Sequence, residues 1–211
     1  MIKAIIFDLD GVIIESAGIK TMAFRKLFER EYPDKVGAIV DYHINNMGVS
    51  RYVKFDYIYK NILGLPLMKD SLEELGRRFS AITLEEILKA PFVPGAYEFI
   101  ETQYDRYLLF IASGTPEEEL HYIAEIKGIT MYFREIHGSP RTKTEIVSGI
   151  LLRTGFNPRE VVFVGDAKTD LRAAEDTGLH FVARVSNEFM GPAGSRRIED
   201  LRGLELIIKA L

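Results

Sequence analysis

No cysteine occurs among the 211 residues, which excludes disulfides, thiolate nucleophiles and zinc–thiolate centres. Histidine is scarce, with four in the chain and none at metal-ligand spacing. Positive charge is not in excess either: the net charge of −4 argues against a sequence-independent nucleic-acid binder, which needs a basic face. A small anionic substrate stays open, because a local pocket can be positive on an acidic protein. No apolar run is long enough to span a bilayer. The N-terminal run is too short for a signal peptide and is cut by Asp8 and Asp10, so a cytoplasmic protein with no membrane partner is expected. Internal repeats and low-complexity segments are also lacking. What remains is an ordinary globular composition, 47% apolar, with enough chain for one large domain or a main domain plus a smaller one.

The stretch that organises the chain is Ile2 to Gly11, IKAIIFDLDG. The run Ala4-Ile5-Ile6-Phe7 is continuous rather than alternating, which suits a strand buried on both faces within a parallel sheet. Asp8 and Asp10, two residues apart, then project together from its carboxyl end, where open α/β sheets bind their ligands. Two like charges so placed repel, and a cation or a retained proton must relieve them. Gly11 lets the backbone turn away at once. Taken alone, the segment also fits a strand running into a loop with two solvated acids.

From Glu15 to Ala90 no strand-like run appears. Ile19, Met22, Ala23, Phe24, Leu27 and Phe28 form one apolar helical stripe ended by Pro33. Ser50 is expected to cap a helix through Val53, Tyr57 and Ile62 that ends at Gly64. Ser71 with Glu74 reads as a capping box for a helix from Leu72 to Lys89. Residues 15–90 are therefore expected to form an all-helical insertion, with 1–14 and 91–211 as the main domain. Pro91 and Pro94-Gly95 punctuate the return. Strand, loop and helix then alternate. Strands are expected at Tyr107 to Ala112, Tyr132 to Ile136, Val161 to Val164 and His180 to Val185, with a small edge element from Ile198 to Leu211. Thr115 with Glu118, and Thr142 with Glu145, read as capping boxes, the second placing Lys143 on the first turn of a helix ending at Gly155. A helix from Thr169 to Thr177 stops at Gly178. The pattern predicts an α/β fold with a Rossmann-like parallel sheet covered on both faces and an inserted all-helical cap.

Right-handed crossovers bring four strand ends to one rim: Asp8 and Asp10, Ser113 and Gly114, the segment leading to Lys143, and Asp166 with Asp170. Converging carboxylates make a hard oxygen site suited to Mg²⁺, and a hydroxyl, backbone N–H groups and a lysine make a receptor for phosphate. DLDGV at Asp8 to Val12, ASGT at Ala112 to Thr115, the Lys143 region and GDAKTD at Gly165 to Asp170 together resemble the haloacid dehalogenase-like hydrolase superfamily, in its phosphatase branch with a helical cap (the phosphoglycolate phosphatase and beta-phosphoglucomutase-like group). PFVPGA, Pro91 to Ala96, looks like that branch's re-entry from cap to core.

The resemblance implies that Asp8 attacks phosphorus and forms an aspartyl-phosphate, while Asp10 protonates the leaving oxygen and later deprotonates water. It implies Mg²⁺ held by Asp8, Asp166 and the Asp10 carbonyl, with Asp170 holding the metal's water shell or orienting Lys143. Ser113, the Gly114 amide and Lys143 would bind the phosphoryl group. Arg141 competes with Lys143 for the cationic role, since the expected Lys-Pro context is replaced by Ser139-Pro140-Arg141-Thr142-Lys143; the capping box favours Lys143. Read without the resemblance, Ser113 is a loop or cap residue and Asp170 an acid at a helix start. Glu15 is expected either to touch substrate or to cap the first cap helix. His43, Arg51 and Lys54 are expected on a solvated helix face, with reading of the leaving group as the alternative. Tyr52, Phe55, Tyr57 and Tyr59 are expected in packing, and Lys168 in solvent. The leading expectation is an Mg²⁺-dependent phosphatase of a small phosphorylated metabolite. A sugar-phosphate mutase is the nearest alternative; an aspartyl-phosphate signalling domain and a non-catalytic binding protein are the others. Specificity is expected in the cap and in the loop from Asn187 to Arg197.

Overall fold

The computed structural model describes residues 1–186 and 189–211. The opening apolar run is strand β1 (Ala4–Phe7), and all four of its residues are buried. Ile5 and Phe7 pack on one side, Ala4 and Ile6 on the other, which is why the run is continuous rather than alternating. The chain then turns at Gly11, whose φ of +77° a side chain would resist and where a Cβ would overlap the Asp166 carboxylate.

Residues 17–89 follow as helices: α1 (Ala17–Phe28), α2 (Val36–Asn45), α3 (Arg51–Tyr57) with a π-helical continuation over Ile58–Leu63, and α4 (Lys69–Lys89). They share a core of their own, in which Phe24, Phe28, Phe55 and Phe79 meet tilted or edge to face. Burial of each such ring stabilises by about 2–3 kcal/mol. Helix α4 begins at Lys69 with no side-chain cap, so Ser71 and Glu74 lie inside it and the expected capping box does not form. Ser50 likewise precedes α3 without a side-chain cap. Met22 of the predicted stripe stays exposed. The chain leaves and re-enters at adjacent points: the Glu15 N–H donates to the Pro91 carbonyl (3.0 Å) and that of Val93 to Ile13 (2.9 Å).

Beyond α5 (Ala96–Gln103) come β2 (Leu108–Pro116), α6 (Glu117–Ile126), β3 (Glu135–Ser139), α7 (Lys143–Thr154), β4 (Val161–Gly165), α8 (Lys168–Thr177), β5 (His180–Arg184), β6 (Arg196–Ile198) and α9 (Leu204–Lys209). The strands pair in parallel in the order β3-β2-β1-β4-β5-β6. This is the doubly wound α/β arrangement, whose order reverses beside β1, and ligands bind at the carboxyl ends near such a point. Two expectations shift. The third strand starts at Glu135, because residues Thr130–Tyr132 form a 3-10 turn. Thr115 does not cap α6; β2 continues to Pro116 across a register shift between Ala112 and Pro116, and that irregularity redirects Ser113 and Thr115.

Candidate active site

At the end of β1, Asp8 is 3% exposed, its Oδ1 accepting the Leu9 N–H at 2.8 Å. Lys143 is held on the first turn of α7 by a complete capping box, Thr142 with Glu145. Its Nζ lies 2.8 Å from Asp8 Oδ2 and donates to Asp170 Oδ1. Burial alone would depress this lysine, but the Asp170 and Asp8 carboxylates outweigh burial and keep it firmly protonated. Asp170, on the first turn of α8, also accepts the N–H groups of Asp166 (3.2 Å) and Ala167 (3.0 Å) through Oδ2. It therefore serves the lysine and the turn after β4 together.

Asp166, at the end of β4, is different. Its Oδ2 is buried with no hydrogen-bond partner among the described residues. Carboxylate oxygens of Asp8, Asp166 and Asp170 all lie within 4.8 Å of one another, against one lysine. Burial pushes the Asp166 carboxyl well up, and Asp8 and Asp170 push it further. Asp8 is also raised, by burial first, with Lys143 opposing. An orphaned buried carboxylate oxygen inside a hard, oxygen-only, charge-deficient group fits a small divalent cation such as Mg²⁺.

The Asp10 side chain lies outside that group. Its Oδ1 accepts from Ser16 Oγ at 2.7 Å; its Oδ2 accepts from Thr115 Oγ1 at 3.0 Å and from Lys20 Nζ. Lys20 also donates to Thr115 Oγ1 at 2.7 Å. Burial acts to raise Asp10, yet Lys20 and the two hydroxyls prevail and hold it below the usual carboxylate range. Lys20, Ser16 and Thr115 were not legible as site residues. Lys20 falls three residues before Ala23 and four before Phe24 on α1, on the same face as the apolar stripe, and a lysine in that register was the only available signal.

Ser113 is 1% exposed, with Oγ accepting the Thr115 N–H at 3.2 Å, and it lines the same pocket as Gly114. A Cβ on Gly114 would overlap the Gly48 carbonyl from the helical region, so glycine is required where the two parts meet. Arg141 is not brought in. It is exposed and donates to Glu117 at 2.7 Å and to the ring of His137, which hold it away from Asp8 and Asp170. Glu15 accepts from Arg184 at 2.6 Å.

His43, Arg51 and Lys54 correct the solvated-face expectation: all are under 5% exposed and line the pocket with Asp8, Asp10 and Ser113. The space between these residues, its opening to solvent included, is about 540 Å³. Arg51 forms a two-pronged pair with Glu119 of α6 (2.6 and 3.1 Å), joined by Ser80. His43 stacks on Phe24 and faces Thr21 and Lys54. Of the 187–197 loop, residues 187 and 188 lie outside the described residues, and Phe189 lines a small cleft with Met47 and Ala167.

Residues 5–184 match a family model described as haloacid dehalogenase-like hydrolase. A phosphorylated carbohydrates phosphatase of Thermotoga maritima is 28% identical, the alignment covering 87% of this chain and 85% of that protein. A phosphoglycolate phosphatase of Pasteurella multocida is 27% identical over 85% and 84%. Among solved structures, the beta-phosphoglucomutase of Clostridium difficile superposes with a TM-score of 0.79 at 20% identity, covering 99% of this chain and 96% of that one, a likeness of fold.

Proposed function

The chain belongs to the haloacid dehalogenase-like hydrolase family, and from that premise we propose that it is a phosphatase that hydrolyses a small phosphorylated metabolite through an aspartyl-phosphate on Asp8. The observation that carries the reading is the Lys143 bridge between Asp8 and Asp170 beside the unpartnered Asp166 oxygen, where the ends of β1 and β4 meet the first turns of α7 and α8.

Asp8, desolvated and fixed by Leu9 N–H and Lys143, attacks phosphorus, forming the Asp8 O–P bond as the ester P–O bond breaks. The leaving oxygen takes a proton from Asp10. Water then loses a proton to Asp10 and attacks the same phosphorus, which releases phosphate and restores Asp8. Asp10 as found here is in the base form, and the acid form requires the Lys20 contact to loosen as substrate enters. Ser113 Oγ and the Gly114 N–H receive phosphoryl oxygens, and Lys143 balances their charge. Asp8, Asp166 and the Asp10 carbonyl would hold Mg²⁺, with Asp170 as support; when bound, it neutralises charge on the transferring group.

The test is release of phosphate from p-nitrophenyl phosphate and a panel of phosphorylated metabolites, with Mg²⁺ or with EDTA. Turnover is expected with Mg²⁺ alone and is lost in Asp8→Asn; retention of activity in Asp8→Asn would refute the nucleophile. Turnover that depends on an added sugar bisphosphate would replace hydrolysis by phosphoryl return to sugar.

A further inference from the structure

Among the described residues, the lysine and arginine side chains around the pocket are matched to carboxylates with one exception. Lys143 has Asp8 and Asp170, Lys20 has Asp10, and Arg51 has Glu119. Lys54 is 3% exposed and lines the pocket, yet no carboxylate lies in ion-pair range of it among the described residues. Its Nζ donates to His43 Nδ1 at 3.0 Å and sits 5.4 Å from the centre of the Phe24 ring.

The tautomer follows from these contacts. Burial, then Lys54 and Lys20, depress His43 to about 2, so the ring is neutral. With Nδ1 accepting from lysine, the proton lies on Nε2 and is directed at Thr21 Oγ1, 3.2 Å away. His43 is therefore a neutral prop that aims the ammonium, and it supplies no counter-charge. Burial and the nearby cations bring Lys54 down to about 7. An ammonium buried without an anion destabilises the fold, and a ligand that supplies the anion relieves that cost.

Lys54 belongs to α3 in the pocket wall, whereas Asp8, Ser113 and Asp166 come from the strand ends. A phosphoryl group seated at Asp8 leaves its alcohol portion to extend into the rest of the pocket. We propose that this alcohol carries a carboxylate that pairs with Lys54, so that the substrate is the phosphate ester of a hydroxy acid and not of a neutral sugar or polyol. One point charge with ammonium donors to spare matches a monoanion; a second phosphate calls for further cations, and Lys20 and Arg51 are already engaged. The proposal rests on the phosphatase reading. It separates the two chemistries that the names of the relatives leave side by side, phosphorylated carbohydrate and phosphorylated acid.

The test compares matched pairs: 3-phosphoglycerate with glycerol 3-phosphate, and 6-phosphogluconate with glucose 6-phosphate. In the native enzyme kcat/KM favours the acid in at least one pair by roughly 10- to 100-fold, the range of a charge-assisted contact. Lys54→Met collapses that ratio at least tenfold, mainly through KM, and Lys54→Arg restores part of it. A native ratio near one in both pairs, a ratio untouched by Lys54→Met, or a stronger preference for fructose 1,6-bisphosphate over fructose 6-phosphate would overturn the proposal. Calorimetric binding of the same four esters to Asp8→Asn, with and without Lys54→Met, reads the subsite independently of turnover. Should no ester, p-nitrophenyl phosphate included, be hydrolysed, the phosphatase reading falls, and the binding ratios still decide the role of Lys54.

Discussion

Asp166→Asn should stabilise the metal-free protein and remove its response to Mg²⁺. The carboxylate is 1% exposed and its Oδ2 has no partner among the described residues, while Asp8 and Asp170 lie in the same cluster. An ionised carboxylate so placed costs several kcal/mol, and an asparagine of nearly the same shape carries no charge and can donate to Asp8. Allowing for relaxation, the gain in EDTA is about 1–3 kcal/mol, or ~2–10 °C in Tm for a chain of this length. Mg²⁺ at a hundredfold excess over its dissociation constant stabilises the native protein by about 2.7 kcal/mol, a further ~5–10 °C. The assay is thermal unfolding by circular dichroism at one fixed pH, in EDTA and across a MgCl₂ series, for both proteins. A native Tm that ignores Mg²⁺, or an Asp166→Asn protein that melts lower in EDTA, would show that the unpartnered oxygen is not a cation site.

Three other outcomes follow from the geometry. Lys143→Met leaves Asp8 and Asp170 buried without their cation and should cost about 3–5 kcal/mol in urea unfolding with loss of turnover, whereas Arg141→Ala, paired only at the surface, should change stability by less than about 1 kcal/mol and kcat/KM by less than about twofold. Lys20→Met removes the cation that offsets burial at Asp10, so that carboxyl rises and the limbs of the kcat/KM–pH profile governed by it move to higher pH; an unmoved profile would detach Asp10 from the rate. Lys54 binds its proton less tightly in the fold, at about 7 against an ordinary 10.5, so the unfolded chain holds more protons between these values and native stability rises with pH across them. Lys54→Met should therefore be the more stable protein at pH 7, by at most about 5 kcal/mol, with the margin shrinking towards pH 10 in urea titrations.

What could be read from the sequence was what short-range physics controls. Short apolar runs bounded by turn residues, such as Ala4–Phe7 and Val161–Val164, read as buried strands, and Asp8 and Asp166 just beyond them then fall at strand ends. The Thr142 and Glu145 capping box closes within one helical turn, so the placement of Lys143 was legible. Its equivalents at Ser71 and Thr115 failed for different reasons: α4 already begins at Lys69, which leaves Ser71 inside the helix, and Thr115 is drawn to Asp10, 105 residues away. The pairing of Arg141 with Glu117, the capture of Asp10 by Lys20 and Thr115, the Arg51–Glu119 pair and the enclosure of Lys54 by His43 and Phe24 were all decided in tertiary structure. Each depends on which side chain of a locally well-formed element faces an element distant in the chain. Local pattern fixes periodicity and strand ends, and only packing decides what lies opposite.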